Sequence, residues 1–255
     1  MTLLSVPERV LQGLGITDPE DIDLEAIAWT MGAEVRYRPL DSCEARIIGR
    51  DDRAIITVND RSAWRRRRFS LAHEIGHWTH HRGHRLDCRA DEADQGWGNR
   101  PERERTADRY AANLLMPPYL FRPAIADHKR LSFQAIKAVA DRFRVSRVSA
   151  AIQMIEVRHT PSLLVCHGPQ GRKWFCRSTD VAGYWFPQDE LDAASFAFDV
   201  LFGGKADCPS PRKVGADAWF DRRGADRYEL KEQTIRVGND EVLTLLIIED
   251  EGMLS

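Results

Sequence analysis

Over roughly the first 160 positions, apolar residues recur at helical spacing in several blocks, and short alternating runs separate some of these blocks. Ser5-Val6-Pro7-Glu8 has the S-x-x-E form of a capping box with proline in the first turn, so a short helix is expected to about Leu14, stopped by Gly15. Asp23 is the next N-cap. Leu24, Ile27, Ala28 and Met31 then form one apolar stripe, and Gly32 ends it. Val35 and Tyr37 alternate with Arg36 and Arg38, which predicts a half-buried strand. Two more strands are expected at Ala45–Gly49 and Ala54–Val58, with a hairpin turn over Gly49 to Asp52. Asp60 is expected to cap a long helix from about Arg61 to His81, with Trp64, Leu71, Ile75 and Trp78 facing the core.

Residues 82–101 are polar and glycine-rich and read as a long loop, a kind of segment that is often functional. Pro101 opens a further helix that Pro117-Pro118 should stop. Ser132 begins another, and a turn at Arg144-Val145-Ser146 leads into a last one, to about Val157. The character then changes. Ser162–Cys166 and Lys173–Arg177 read as strands, Phe196–Leu201 as a helix, and Tyr228–Val237 with Val242–Glu249 as a long hairpin around Gly238-Asn239-Asp240. The expected division is therefore 1–159 and 160–255.

At 255 residues the chain has room for one large domain or two small ones. Its apolar content of 43% and charged content of 30% are ordinary for a globular protein. A net charge of -2 gives no global attraction to nucleic acid or membrane. The five cysteines Cys43, Cys88, Cys166, Cys176 and Cys208 are scattered without a C-x-x-C pair, and the N-terminus lacks the features of a secretory signal. A cytoplasmic protein with reduced thiols is expected.

The chemistry concentrates in His73-Glu74-Ile75-Gly76-His77, which reads H-E-x-x-H. Helical residues four apart share a face, so both imidazoles can reach one Zn2+, with Glu74 beside them as the candidate general base. Catalytic zinc takes three protein ligands. Glu104, on the next helix, is the expected third, and Asp108 shares its face, where it can accept a hydrogen bond from the far nitrogen of a ligating histidine. A longer motif with a third histidine is excluded, since it needs glycine at 80 and histidine at 83, where His80 and Gly83 stand. Arg46, His84 and His128 are candidates for a second oxyanion donor.

The runs RRFSLAHEIGHW and ERTADRYAANLLMP, preceded by DLEAIAWTMGAEVRY, EARIIG and AIITVN, resemble the ImmA/IrrE metallopeptidases over about residues 15–157. The resemblance implies zinc ligands His73, His77 and Glu104, with Glu74 as catalytic base. It also implies a cytoplasmic peptidase that cuts a partner helix-turn-helix repressor of the XRE type and releases stress, phage or mobile-element genes, often after DNA damage. Asp108 departs from the family's common asparagine, and Tyr110 from its common phenylalanine. Some members carry a GAF-like C-terminal sensor, with which the strand-rich end here is compatible. A CBASS-associated antiphage subgroup, the CapP peptidases, is thought to respond to single-stranded DNA.

Other features carry less. Arg65 to Arg68 beside Trp64 suit phosphates, but such a run more often covers a solvated helix face. Ala135 to Ile155 has helix-turn-helix character, which plain helix packing also produces. Cys88, between His77 and Glu104, is a candidate inhibitory zinc ligand, with Cys43 as the second candidate. Trp97 is placed to cover the site or to anchor its loop. Ala45–Gly49 would serve as an edge strand holding a substrate peptide.

Together these features predict an α+β, gluzincin-like zinc peptidase domain with a small sheet and helix-turn-helix-like helices over 132–157, followed by a C-terminal α/β GAF-like domain. The expected activity is regulatory endoproteolysis of an XRE-family repressor, with single-stranded DNA as a candidate activator. The alternatives are a DNA-binding regulator with structural zinc, and a broad-specificity housekeeping peptidase.

Overall fold

The computed structural model describes residues 4–81, 101–238 and 240–255. It divides into two compact units, Met1–Ala124 with Ala140–Ser149, and Ile125–Val139 with Ala150–Ser255.

The first unit is built on α1 (Val6–Gly13), α2 (Leu24–Thr30), β1 (Ala33–Arg38), β2 (Ala45–Arg50), β3 (Arg53–Asn59), α3 (Trp64–His81), α4 (Glu102–Leu115) and α5 (Pro118–Ala126, its last two residues in the second unit). The capping box at Ser5 and Glu8 forms as the sequence indicates, and the Asp23 carboxylate accepts from the Ala26 N–H at 2.9 Å. Gly15 and Gly32 adopt positive φ of 73° and 82°, the conformation that favours glycine.

The sheet order is β1-β3-β2, with β1 parallel and β2 antiparallel to the central strand. In the paired register, Ala33, Val35 and Tyr37 align with Ala54, Ile56 and Val58, and these with Gly49, Ile47 and Ala45. Helices α2 and α3 pack on that side. A Cβ on Gly49 would stand 2.5 Å from the Trp78 ring of α3, and the Trp78 indole N–H donates to the Met31 carbonyl at 2.8 Å.

Two expectations for this unit are corrected. Helix α3 begins at Trp64, three residues late, because Asp60 donates its backbone N–H to the Arg38 carbonyl and continues the turn after β3. Trp64 is 47% exposed rather than buried, with the Arg68 guanidinium 5.4 Å from its ring centre. Pro117-Pro118 stops α4 as expected, and Pro118 also starts α5, a helix the pattern did not indicate, since a first turn has no use for proline's missing N–H.

The second unit holds an antiparallel five-stranded sheet of β4 (Ser162–Gly168), β5 (Gly171–Arg177), β6 (Cys208–Gly215), β7 (Glu229–Arg236) and β8 (Val242–Ile247), in the order β5-β4-β8-β7-β6. Its other helix is α8 (Phe196–Leu201). Helices α6 (Phe133–Arg142) and α7 (Arg147–Glu156) are divided between the units. Two consecutive residues of β7 fasten helix starts. The Glu232 carboxylate accepts from the N–H groups of Phe196 and Ala197, and the Gln233 side-chain oxygen from the Phe133 N–H at 3.1 Å. One core cluster fills the unit around Trp185, Trp219 and Phe220. The pattern gave no sign of β6, because Pro209 and Pro211 sit in it; as an edge strand it tolerates them.

Candidate metal centre

His73, Glu74 and His77 come from the middle of α3, and Glu104 and Asp108 from the first half of α4. Gly76 allows the two helices to approach closely. A Cβ there would lie 3.1 Å from the Ala107 carbonyl oxygen and 3.1 Å from the Tyr110 Cβ. With one glycine and one alanine at the crossing, the helix axes come close enough for carboxylates of α4 to reach imidazoles of α3.

The His73 and His77 Nε2 atoms are 3.0 Å apart. The Glu104 carboxylate faces both, with Oε2 3.2 Å from His73 Nε2 and Oε1 3.3 Å from His77 Nε2. One ligand atom from each of the three residues lies within 4.8 Å of the others, the sole such grouping among the described residues. Asp108 Oδ1 is 2.9 Å from His73 Nδ1. A carboxylate accepts only, so Nδ1 carries a proton, and the neutral tautomer that this bond selects is the one that presents Nε2 to the cluster.

Burial pushes the His73 ring toward neutrality, yet its bonds to Asp108 and Glu104 carry it up to about 9. For Glu104 burial acts upward, and the bonds from His73 and His77 hold the carboxyl well below its ordinary range. Glu104 Oε1 is buried without a well-formed hydrogen bond. Without an ion the pair rests as imidazolium and carboxylate, so the pocket favours positive charge, and two imidazoles and a carboxylate converging there are a donor set that fits a divalent cation in place of the proton. Glu74 is 3% exposed, and its charge reaches both His73 and the Cys43 thiol.

The structure therefore brings together His73, His77, Glu104 and Asp108, with Glu74 alongside. Cys43 is not among the cluster's donors; burial pushes its thiol up, Arg46 opposes this and Glu74 adds to it. Cys88, His84 and Trp97 lie outside the described residues. His128 belongs to the second unit, where its carbonyl accepts from His159. Gly76 is the functional position that sequence reasoning missed. Its signal was a glycine between two ligands in a helix interior, where glycine has a packing reason or none.

The site is that of a metallopeptidase-type domain, a histidine pair on one helix and a glutamate on the next. Residues 28–154 match the family model Peptidase_M78, the IrrE N-terminal-like domain. The chain belongs to the ImmA/IrrE family. No curated protein matches it in sequence. A solved structure, a Mycobacterium tuberculosis transcriptional regulator, is similar in fold, with a TM-score of 0.61 at 14% identity over 95% of this chain and 74% of that one. No described helix is long and apolar enough to cross a membrane.

Proposed function

We propose that the chain is a cytoplasmic regulatory zinc endopeptidase that cuts a helix-turn-helix repressor of the XRE family at one site. The observation that carries this reading is the convergence of His73 Nε2, His77 Nε2 and the Glu104 carboxylate beside the buried Glu74. In this reading His73, His77 and Glu104 hold the ion. Zinc, when bound, supplies Lewis-acid polarisation. Glu74 takes the proton of the attacking water on its carboxylate and hands it to the leaving amine. Asp108 keeps the His73 tautomer that presents Nε2. Strand β2, at the edge of its sheet, offers backbone groups to an extended substrate.

Residues 1–159 form the peptidase part in this proposal, with helix-turn-helix-like helices over 132–157, and 160–255 a GAF-like sensor. The five-stranded sheet with its helices supports the second assignment. Single-stranded DNA produced by damage or phage is the proposed activating signal, as in the CapP subgroup, and Cys88 the proposed inhibitory ligand.

A second reading, a DNA-binding regulator in which the metal is structural, is favoured by the fold neighbour, which is itself a transcriptional regulator. Glu74→Gln separates the two. New protein N-termini are mapped in cells expressing wild type or the variant, with metal content measured on both purified chains. The proposal expects equal zinc, and one cleavage in a repressor for the wild type alone. Identical N-terminal profiles favour the structural-metal reading, and many scattered sites a housekeeping peptidase.

A further inference from the structure

The register of the three-stranded sheet gathers arginines on the side away from α2 and α3. Arg36 of β1 and Arg46 of β2 both pair with Thr57 of the central strand, from opposite sides, so they stand about 10 Å apart, two strand spacings. Arg50 pairs with Arg53 at one end, and Arg38 continues the row of Arg36. Among the described residues Arg38, Arg46 and Arg53 make no ion pair, while Arg36 is held by Glu34 and Arg50 by Asp51. Between the arginines lies Ile48, 61% exposed and paired with the half-buried Ile55. In a chain of net charge -2, such a concentration of positive charge is local rather than a reflection of composition.

We propose that this face is an exosite for an acidic segment of the protein substrate, one that carries an aliphatic side chain among its carboxylates. Charge complementarity identifies the carboxylates, and the exposed Ile48 identifies the apolar anchor. A nucleic-acid strand fits less well. Sites for single strands pair basic side chains with aromatic rings for the bases, and the aromatic residue of β1, Tyr37, lies on the helix side, bonded to Glu25. Strand β2, which carries Arg46 and Ile48, is also the edge strand that the proposed function offers to an extended substrate. The inference rests on the peptidase reading for its biological sense, but its binding test does not.

The test uses the full chain as Glu74→Gln, with EDTA present so that no turnover enters. Fluorescence anisotropy measures binding of a labelled peptide EDLEDIED, its amide counterpart QNLQNIQN, and a twelve-nucleotide single-stranded oligothymidylate. The acidic peptide should bind best, and more weakly as salt rises. R46E/R53E should weaken it about tenfold or more, Arg46→Lys should largely retain it, and reversal of the exposed Arg223 in the other unit should leave it unchanged. All these side chains are exposed, and a thermal melt checks folding. Equal binding of acid and amide peptides, equal binding to wild-type and reversed faces, or preference for the oligonucleotide would overturn the proposal. Loss of proteolysis in Glu74→Gln without loss of peptide binding keeps this result separate from the fate of the peptidase reading.

Discussion

The Gly76 contact makes the coordination geometry testable without touching a ligand. In Gly76→Ala the new methyl meets the Ala107 oxygen and the Tyr110 Cβ at 3.1 Å and the Ala107 Cα at 3.2 Å, each a few tenths of an ångström inside ordinary contact. Two of these are backbone atoms of α4, so no rotamer change relieves them, and the helices must separate. Overpacking of this kind costs about 1–3 kcal/mol, partly offset by about 1 kcal/mol from replacing glycine with alanine inside a helix. Net destabilisation should be about 0–2 kcal/mol. The cluster is less tolerant, because ligand distances at a metal site are held to about 0.2 Å. With Glu104 displaced from His73 and His77, zinc affinity should fall by about 10- to 100-fold, the range seen when a ligand's orientation is lost. Competition with a chromophoric chelator reads the affinity, and denaturant unfolding of the metal-free chain reads the stability. Gly13→Ala, where the added methyl meets nothing within 4 Å, is the control for helix propensity alone. If Gly76→Ala binds zinc as tightly as wild type, this crossing does not set the Glu104 position.

Other consequences follow from buried polar groups in the second unit. His167 is 1% exposed with Nδ1 unpartnered, and burial pushes its ring down to about 4. The unfolded ring takes up a proton below about 6.5 while the folded ring does not, so stability is full above 6.5 and declines toward pH 4, by up to about 3 kcal/mol. Denaturant titrations across that window should show the decline, and His167→Gln should flatten it; an unchanged slope would count against burial as the cause. Glu232→Ala leaves the Trp219 indole N–H and the Phe196 and Ala197 backbone N–H groups without their acceptor. A loss of about 3 kcal/mol or more is expected in urea unfolding, and a change under about 1 kcal/mol would show that α8 finds another cap. Asp108→Ala should keep the fold but weaken zinc about 10-fold or more, measured with the same chelator, whereas Asp108→Asn, whose side-chain oxygen still accepts from His73 Nδ1, should retain most of the affinity.

The order of elements in the first unit, α5 excepted, was legible in the sequence because caps, prolines and glycines act locally. Ser5, Asp23, Gly15 and Gly32 do in the structure what their chemistry requires within a few residues of themselves. The histidine pair was legible for the same reason, since four residues on one helix fix their separation. Trp64 misled because helical spacing places a residue on a face but does not say whether anything packs there. β6 was hidden because its prolines are excluded only from interior strands, and edge position is a property of the whole sheet.

By itself, then, the sequence determined two imidazoles and a base on one helix, and a carboxylate pair on another, since i to i+4 geometry is intrinsic to the backbone. Only the tertiary structure decided that α3 and α4 cross at Gly76 and Ala107, closely enough for Glu104 to face both rings while Asp108 takes the back of one. It alone decided, too, that β1 joins the β2–β3 hairpin in parallel, on the far side of β3, so that alternate residues of all three strands present their arginines together. A strand's own residues do not say which neighbour it pairs with, or in which direction.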